Sequence, residues 1–551
     1  MEQQTAHSID IRFALEGLLP QDMLSASAPI RLVSSAQLVC VSVIGLFLIS
    51  SLFIGEVFRR LQRDSNQFLN ATGSMPGWVT AVSFLACNCG ALEVIGLSGI
   101  ASRYGVQAFH FYWIGAVPAM IVTGLILIPL YVKSGVRSVP EYLGLRFGAP
   151  VRALHGWVVL GSSALFAGLC LYSIAEVMHI AANWSLAASA AIFACVVLTY
   201  LLRGGFLATV YNEIFQFCVM LAGLGPLLYL TRDRRSDAVE LIGQRWHLWQ
   251  ATPLVSRDSS VDLVGVVIGL GVVISFSYWC TDFVLMQRAL SARTLEAARR
   301  TPILAGFGKL LFSMIVVGPV VWMGGHLQHG TAGALDATSP LLMIQLYGPK
   351  LYSLGIAALV AGLVNGFASN VAAFSAVWTQ EIYRVSICPN ATEEQSVVVG
   401  RWSYVVCVVL SLAGAVATFG FEGLSDFTLV IFSMSLVPFF AILFVGVVTR
   451  RGFTDSAIWG VVCGILGCGL FQIAARQHWM RVGTALNIDF RSAILCFFVT
   501  SVICAAPRGR QIEAAANMAL KPQSIAKVSR TLWLLSSLLA IACLALNLIW
   551  W

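Results

Sequence analysis

Apolar residues run along this chain in blocks of about twenty, the length that carries a helix across the hydrocarbon core of a bilayer. The blocks fall near residues 33–54, 77–100, 107–132, 156–180, 184–202, 208–230 and 261–286, and then near 302–326, 351–383, 400–420, 427–447, 454–474, 490–507 and 530–551. They predict an all-α polytopic membrane protein with about fourteen transmembrane helices. The short polar stretches between them are loops. Basic residues mark one side: Arg59, Arg60 and Arg63 after the first span, Lys133, Arg137 and Arg146 after the third, Arg288, Arg293, Arg299 and Arg300 after the seventh, Arg450 and Arg451 after the eleventh, and Arg508, Arg510, Lys521, Lys527 and Arg530 after the thirteenth. These loops share a face, which the positive-inside rule makes cytoplasmic, so both termini are expected outside a plasma or inner membrane. Arg232, Arg234 and Arg235 dissent from the predicted outer face, with Asp233 and Asp237 among them.

One apolar block carries an interruption. Ser83 to Gly99 reads SFLACNCGALEVIGLSG, in which Asn88, Gly90 and Gly99 weaken the helix and Glu93 places a carboxyl group at membrane depth. An acid there costs roughly 2.5–3.5 kcal/mol on insertion scales and is tolerated where it lines a protected cavity. A second interruption is expected at Ser275–Cys280. Spans two to six and seven to eleven form two groups of five that enter the membrane from opposite sides. Each group begins with an interrupted helix, the pattern that points to a midplane binding site in an inverted repeat.

Composition narrows the class further. With 58% hydrophobic and 11% charged residues, the 551-residue chain is far less charged than a soluble domain. The net charge of +8 is scattered over short loops, which gives no basic face for nucleic acid. The 14 cysteines sit mostly in apolar spans, Cys87, Cys170, Cys195 and Cys407 among them, and read as small core hydrophobes. Residues 1–34 hold Asp10, Glu16 and Asp22 without the basic-then-apolar pattern of a signal peptide. The absence of HExxH, of GxSxG with a partner and of clustered histidines argues against an enzyme.

The stretch from Ser275 reads SFSYWCTDFVLMQRALSARTLEAARR, and its YWCTD run followed by QR resembles the sodium:solute symporter family, its sodium/glucose cotransporter branch most closely. Further matching pieces follow the family's order: SMPGW at 74–78, SVPEYLGLRFG at 138–148, RGGFLATVYNEIFQ at 203–216, WTQEIYR at 378–384 and GRWSYVV at 400–406. The resemblance implies a LeuT-like five-plus-five inverted repeat at 77–447. Around it lie an outer tail at 1–34, a peripheral first helix with its cytoplasmic loop at 35–76 and three peripheral helices at 448–551.

It also implies symport of a small polar, sugar-like organic solute with sodium by alternating access, in the lipid bilayer and without an organic cofactor or a required protein partner. Solute contacts carried over by position are Asn88, Glu93, Ser275, Tyr278, Trp279 and Lys309; the family's second acid has Tyr112 and Trp113 in its place. Sodium donors would be carbonyls of Ala86 and Cys89, with Gly362 nearby and a hydroxyl pair that falls here on Asn365 and Gly366. That pair offers at most one side-chain oxygen, whereas a hard cation takes about five or more oxygens. Ser369 lies one turn further on. Glu213 matches an acidic position on the sodium path. Its carboxyl, with Glu93, Glu176, His179 and Asp282, also allows a proton-coupled or uncoupled cycle, and a solute sensor is the reading from another class. Structural alternatives are an ion pair of Lys309 with Asp282, a local Glu176–His179 pair, and interfacial anchoring by Trp113, Trp550 and Trp551.

Overall fold

A computed structural model describes residues 29–61, 65–234, 246–249, 261–327, 338–417, 424–449, 452–480, 482–509, 511 and 528–551. The expected outer tail lies almost wholly outside these residues, as do Arg63, Arg235, Asp237, Arg450, Arg451, Arg510, Lys521 and Lys527. The principal helices are α1 (Pro29–Leu61), α2 (Gly77–Asn88), α3 (Ala91–Tyr104), α4 (Ala149–Ala182), α5 (Leu186–Thr231), α6 (Ser275–Thr281), α7 (Phe283–Leu290) and α8 (Leu295–Leu327). They continue with α9 (Pro349–Val377), α10 (Glu393–Ala417), α11 (Leu424–Ser435), α12 (Val437–Thr449), α13 (Thr454–Arg476), α14 (Ala485–Ala505) and α15 (Arg530–Ile549).

Counted as apolar helices long enough to cross a membrane, the described residues give eleven, or twelve with the bent pair Gly265–Thr281 and Phe283–Leu290, against about fourteen expected spans. The difference comes from merging. Glu93–Lys133 and Leu186–Thr231 run for 41 and 46 residues and each takes in parts of two predicted spans. A straight 46-residue helix would reach about 69 Å, twice a bilayer core. It is not straight, because Gly205 inside it has φ 54° and ψ −149°. A side chain is strained at that φ, and the ring of Phe68 lies against the glycine.

Helix α2 ends at Asn88 and α3 begins at Ala91, with Gly90 extended (φ −77°, ψ 168°) between them. This is the interruption that Asn88 and Gly90 predict. The second lies later than expected. Ser275–Thr281 is continuous helix, preceded by π-helix at Gly265–Ile274, and the chain breaks at Asp282 with a 50° bend. Asp282 accounts for the position: its carboxylate accepts the Leu285 N–H at 2.9 Å and so starts α7.

Close packing brings these pieces together. Helices α5 and α9 approach through Gly223, where a Cβ would meet the Leu354 carbonyl at 2.5 Å. Small residues admit such backbone approach where lipid supplies no hydrophobic drive between helices. Thr80 of α2 bonds Thr301 of α8 at 2.7 Å. The SMPGW turn is held by the basic loop, with the Met75 N–H donating to Ser291 O at 2.9 Å and the Arg293 N–H to Met75 O at 2.9 Å. Two sequence motifs more than 200 residues apart are therefore one joint. Several expected surface roles change. Arg288 and Arg299, taken as loop charges, are buried, and Trp113, taken as an interfacial anchor, is buried and stacked on Phe109 at 4.4 Å.

Candidate functional site

The two chain breaks face one another across a cavity of about 230 Å³. All six residues expected at the solute, Asn88, Glu93, Ser275, Tyr278, Trp279 and Lys309, lie in its wall. Glu93 stands in the first turn of α3, and Lys309 projects from the middle of α8. Lys309 Nζ donates to both carboxylate oxygens of Glu93 at 2.7 Å each. This corrects the alternative pairing of Lys309 with Asp282. The ammonium also lies 5.2 Å from the ring centre of Tyr112 and 5.6 Å from that of Trp279. The ammonium is thus held between a carboxylate and two aromatic faces. Lys309 is 2% exposed and Glu93 16%, so the acid is the more open member of the pair.

Asn88 Nδ2 donates to the Tyr278 hydroxyl at 2.5 Å, a bond between the two broken helices. Ser275 also lines the cavity, but its hydroxyl donates to Leu270 O at 2.6 Å. Asp282 is in the wall as well. Sequence reading missed other lining residues: Phe166 from α4, Asn370 from α9, and Ser425, Thr428 and Phe432 from α11. No local pattern marks them, because each belongs to an otherwise ordinary apolar helix.

The expected cation donors lie behind this wall. Ala86, Cys89, Asn365 and Glu213 are buried, while Gly362 and Gly366 reach the cavity. Asn365 Nδ2 donates to Ala86 O at 3.2 Å, and its Oδ1 is 3.3 Å from Ser369 Oγ. The reverse amide orientation would set two acceptors against each other. Asn370 Nδ2 likewise donates to Gly366 O at 2.9 Å. Two carbonyls are thus already served by amide N–H groups, and this donor set does not match what a sodium ion needs. Ser369 donates to Glu213 at 2.7 Å, and Ser83 and Arg288 bond the same carboxylate. The Glu213 charge is compensated by a guanidinium that, like the acid, is sealed from solvent.

Away from the cavity, His179 Nδ1 bonds Trp184 O at 2.8 Å, which places it at the end of α4. Among the described residues, no three His, Cys, Asp or Glu side chains gather to hold a metal.

A family profile described as "Sodium:solute symporter family" matches residues 68–464, from the short helix before α2 into α13. The chain belongs to the sodium:solute symporter family. Among the relatives of this family member are "Sodium/glucose cotransporter 4" of Danio rerio, 25% identical over 71% of this chain and 65% of that protein, and its Homo sapiens counterpart, 25% identical over 77% and 66%. "Sodium/glucose cotransporter 1" of Mus musculus is 24% identical over 77% of this chain and 70% of its own. The matches therefore span about two thirds of these relatives' length. A solved structure titled as the substrate-bound outward-open state of a Na+-coupled sialic acid symporter superposes with a TM-score of 0.70 at 16% identity. It covers 85% of this symporter-family chain and 96% of its own, a likeness of fold.

Proposed function

We propose that this chain is a secondary transporter that moves a small polar organic solute, sugar-like in size, by alternating access and in symport with a cation. The observation that carries the reading is the half-buried Glu93–Lys309 pair opening onto a cavity lined by both broken helices. Irregular backbone and charge at membrane depth are kept where a solute must be met. Sodium is the cation that the family name supplies, and the named cotransporter relatives support a sugar as solute. The inverted repeat at 77–447, the tail at 1–34, the peripheral segments at 35–76 and 448–551 and a plasma-membrane location with outer termini belong to the same reading.

A second reading has its own observation. The Asn365 amide N–H on Ala86 O stands where a sodium ion would need a free oxygen, which favours transport driven by protons or by the solute's own gradient. Uptake of labelled sugars and other small polar solutes into proteoliposomes, under separately imposed sodium and pH gradients, tests both. Sodium-driven accumulation supports symport with sodium. Accumulation under a pH gradient alone, or simple equilibration, supports the second reading. Binding without uptake overturns transport in favour of a sensor.

A further inference from the structure

We infer that the solute carries a protonated amine, received by Asp282 together with the rings of Tyr278, Trp279 and Phe432; this rests on the reading of the cavity as the solute site. Three charged side chains line the cavity: Glu93, Lys309 and Asp282. Lys309 spends two of its three N–H donors on Glu93 at 2.7 Å, and two aromatic faces flank it, so it has little to give a solute. Glu93 and Lys309 together are neutral. Asp282 forms no ion pair among the described residues, and Arg288, six positions further along, is bonded to Glu213. One carboxylate at the cavity is left without an ion-pair partner among the described residues.

The neutral polar groups point the same way. Asn88 gives its amide N–H to Tyr278, and its Oδ1 is buried without a hydrogen-bond partner. The Ser275 hydroxyl donates to Leu270 O, and the Asn370 amide donates to Gly366 O. The Asn88, Ser275 and Asn370 donors are turned into the protein, and Asn88 Oδ1 is left as an acceptor. A carboxylate or phosphate solute would meet acceptors and a surplus negative charge. An ammonium group supplies donors and the missing positive charge.

The remaining wall is aromatic. Tyr278 lies 5.2 Å from Trp279 and 4.7 Å from Phe432, and Phe432 lies 5.2 Å from Phe166, ring centre to ring centre. These rings line the cavity beside Asp282. Aromatic faces around a desolvated cation are the physical basis of ammonium recognition, and here the rings and the unpaired acid share one wall.

The test is binding of matched pairs to the purified full chain in detergent, by calorimetry: glucosamine against glucose, ethanolamine against ethylene glycol, with choline as a permanent cation. The amine of each pair is expected to bind about tenfold or more tightly than its hydroxyl partner. Asp282→Asn is expected to remove that preference. Asparagine caps a helix about as well as aspartate, so α7 keeps its start and the variant reads charge. Hydroxyl partners that bind as well as the amines, with affinity lost in Glu93→Gln and unchanged in Asp282→Asn, would overturn the inference and leave the solute site standing. A variant that alters only the pH dependence of binding would overturn it in favour of a proton on Asp282. No binding by any member would overturn the solute-site reading itself.

Discussion

Two of the acid–base pairs inside this bundle are built differently. Glu213 and Arg288 are sealed, at 1% and 0% exposure, and the carboxylate is further bonded by Ser83 and Ser369. Glu93 and Lys309 are a tight pair too, but the acid, at 16% exposure, is open to a cavity that Tyr112 also lines. Desolvation sets the difference. A sealed pair has no water to fall back on when one partner is lost, whereas an open one can be rewetted from the cavity. The same chemistry thus serves as a clamp in one place and a contact surface in the other.

The comparison breaks most sharply at Arg288. Arg288→Ala strands a buried carboxylate and is expected to cost about 3–5 kcal/mol, read as a collapse of the thermal midpoint in detergent. Replacing both partners by apolar residues, Glu213→Leu with Arg288→Met, should recover most of that loss if the pair only clamps. Lys309→Met should lower stability less, by about 1–3 kcal/mol, because Glu93 reaches cavity water, yet it should abolish uptake. Glu93→Gln is expected to move the midpoint least of the three, since an amide can still accept from Lys309, and to reduce uptake at least about tenfold. An uptake rate near normal in Glu93→Gln would make the two pairs equivalent. The smallest effect on stability belongs to Asn365→Ser with Gly366→Ser. A Cβ at position 366 would lie 2.9 Å from Cys170 Sγ, so that sulfur must shift, and the gain of two hydroxyls should appear as sodium-stimulated binding. An unchanged sodium response would detach these positions from any ion site.

Much of this was legible in the sequence, residue by residue. Glu93 stood out as an acid in an apolar run, Lys309 as a base in another, and Asn88 and Gly90 located the first break. Pairings were not legible, because they join residues 216 positions apart and hydropathy gives no register between helices. The second break was placed too early, since no Gly or Pro marks it; the usable signal was Asp282 standing as a cap ahead of FVLMQR. Asn365 was read as a possible oxygen donor. An amide offers either end, and only its neighbour, a carbonyl oxygen, decides that nitrogen faces Ala86. The number of separate helices was not legible for a related reason, since apolar blocks do not say whether neighbouring helices are continuous.

The hydrogen bond from Asn365 to Ala86 also bears on energy conversion. While the Asn365 amide N–H holds Ala86 O, that oxygen is not offered to an external cation, and the membrane voltage has no ion at that oxygen to act upon. A carrier that kept this bond through its whole cycle would have to draw its work from something else that crosses. A solute with one positive charge would be enough: about 2.3 kcal/mol per 100 mV corresponds to roughly fiftyfold accumulation inside a negative cell. Electrical current that follows solute flux one charge for one, in sodium-free medium, would be the signature of a transporter powered by its own cargo.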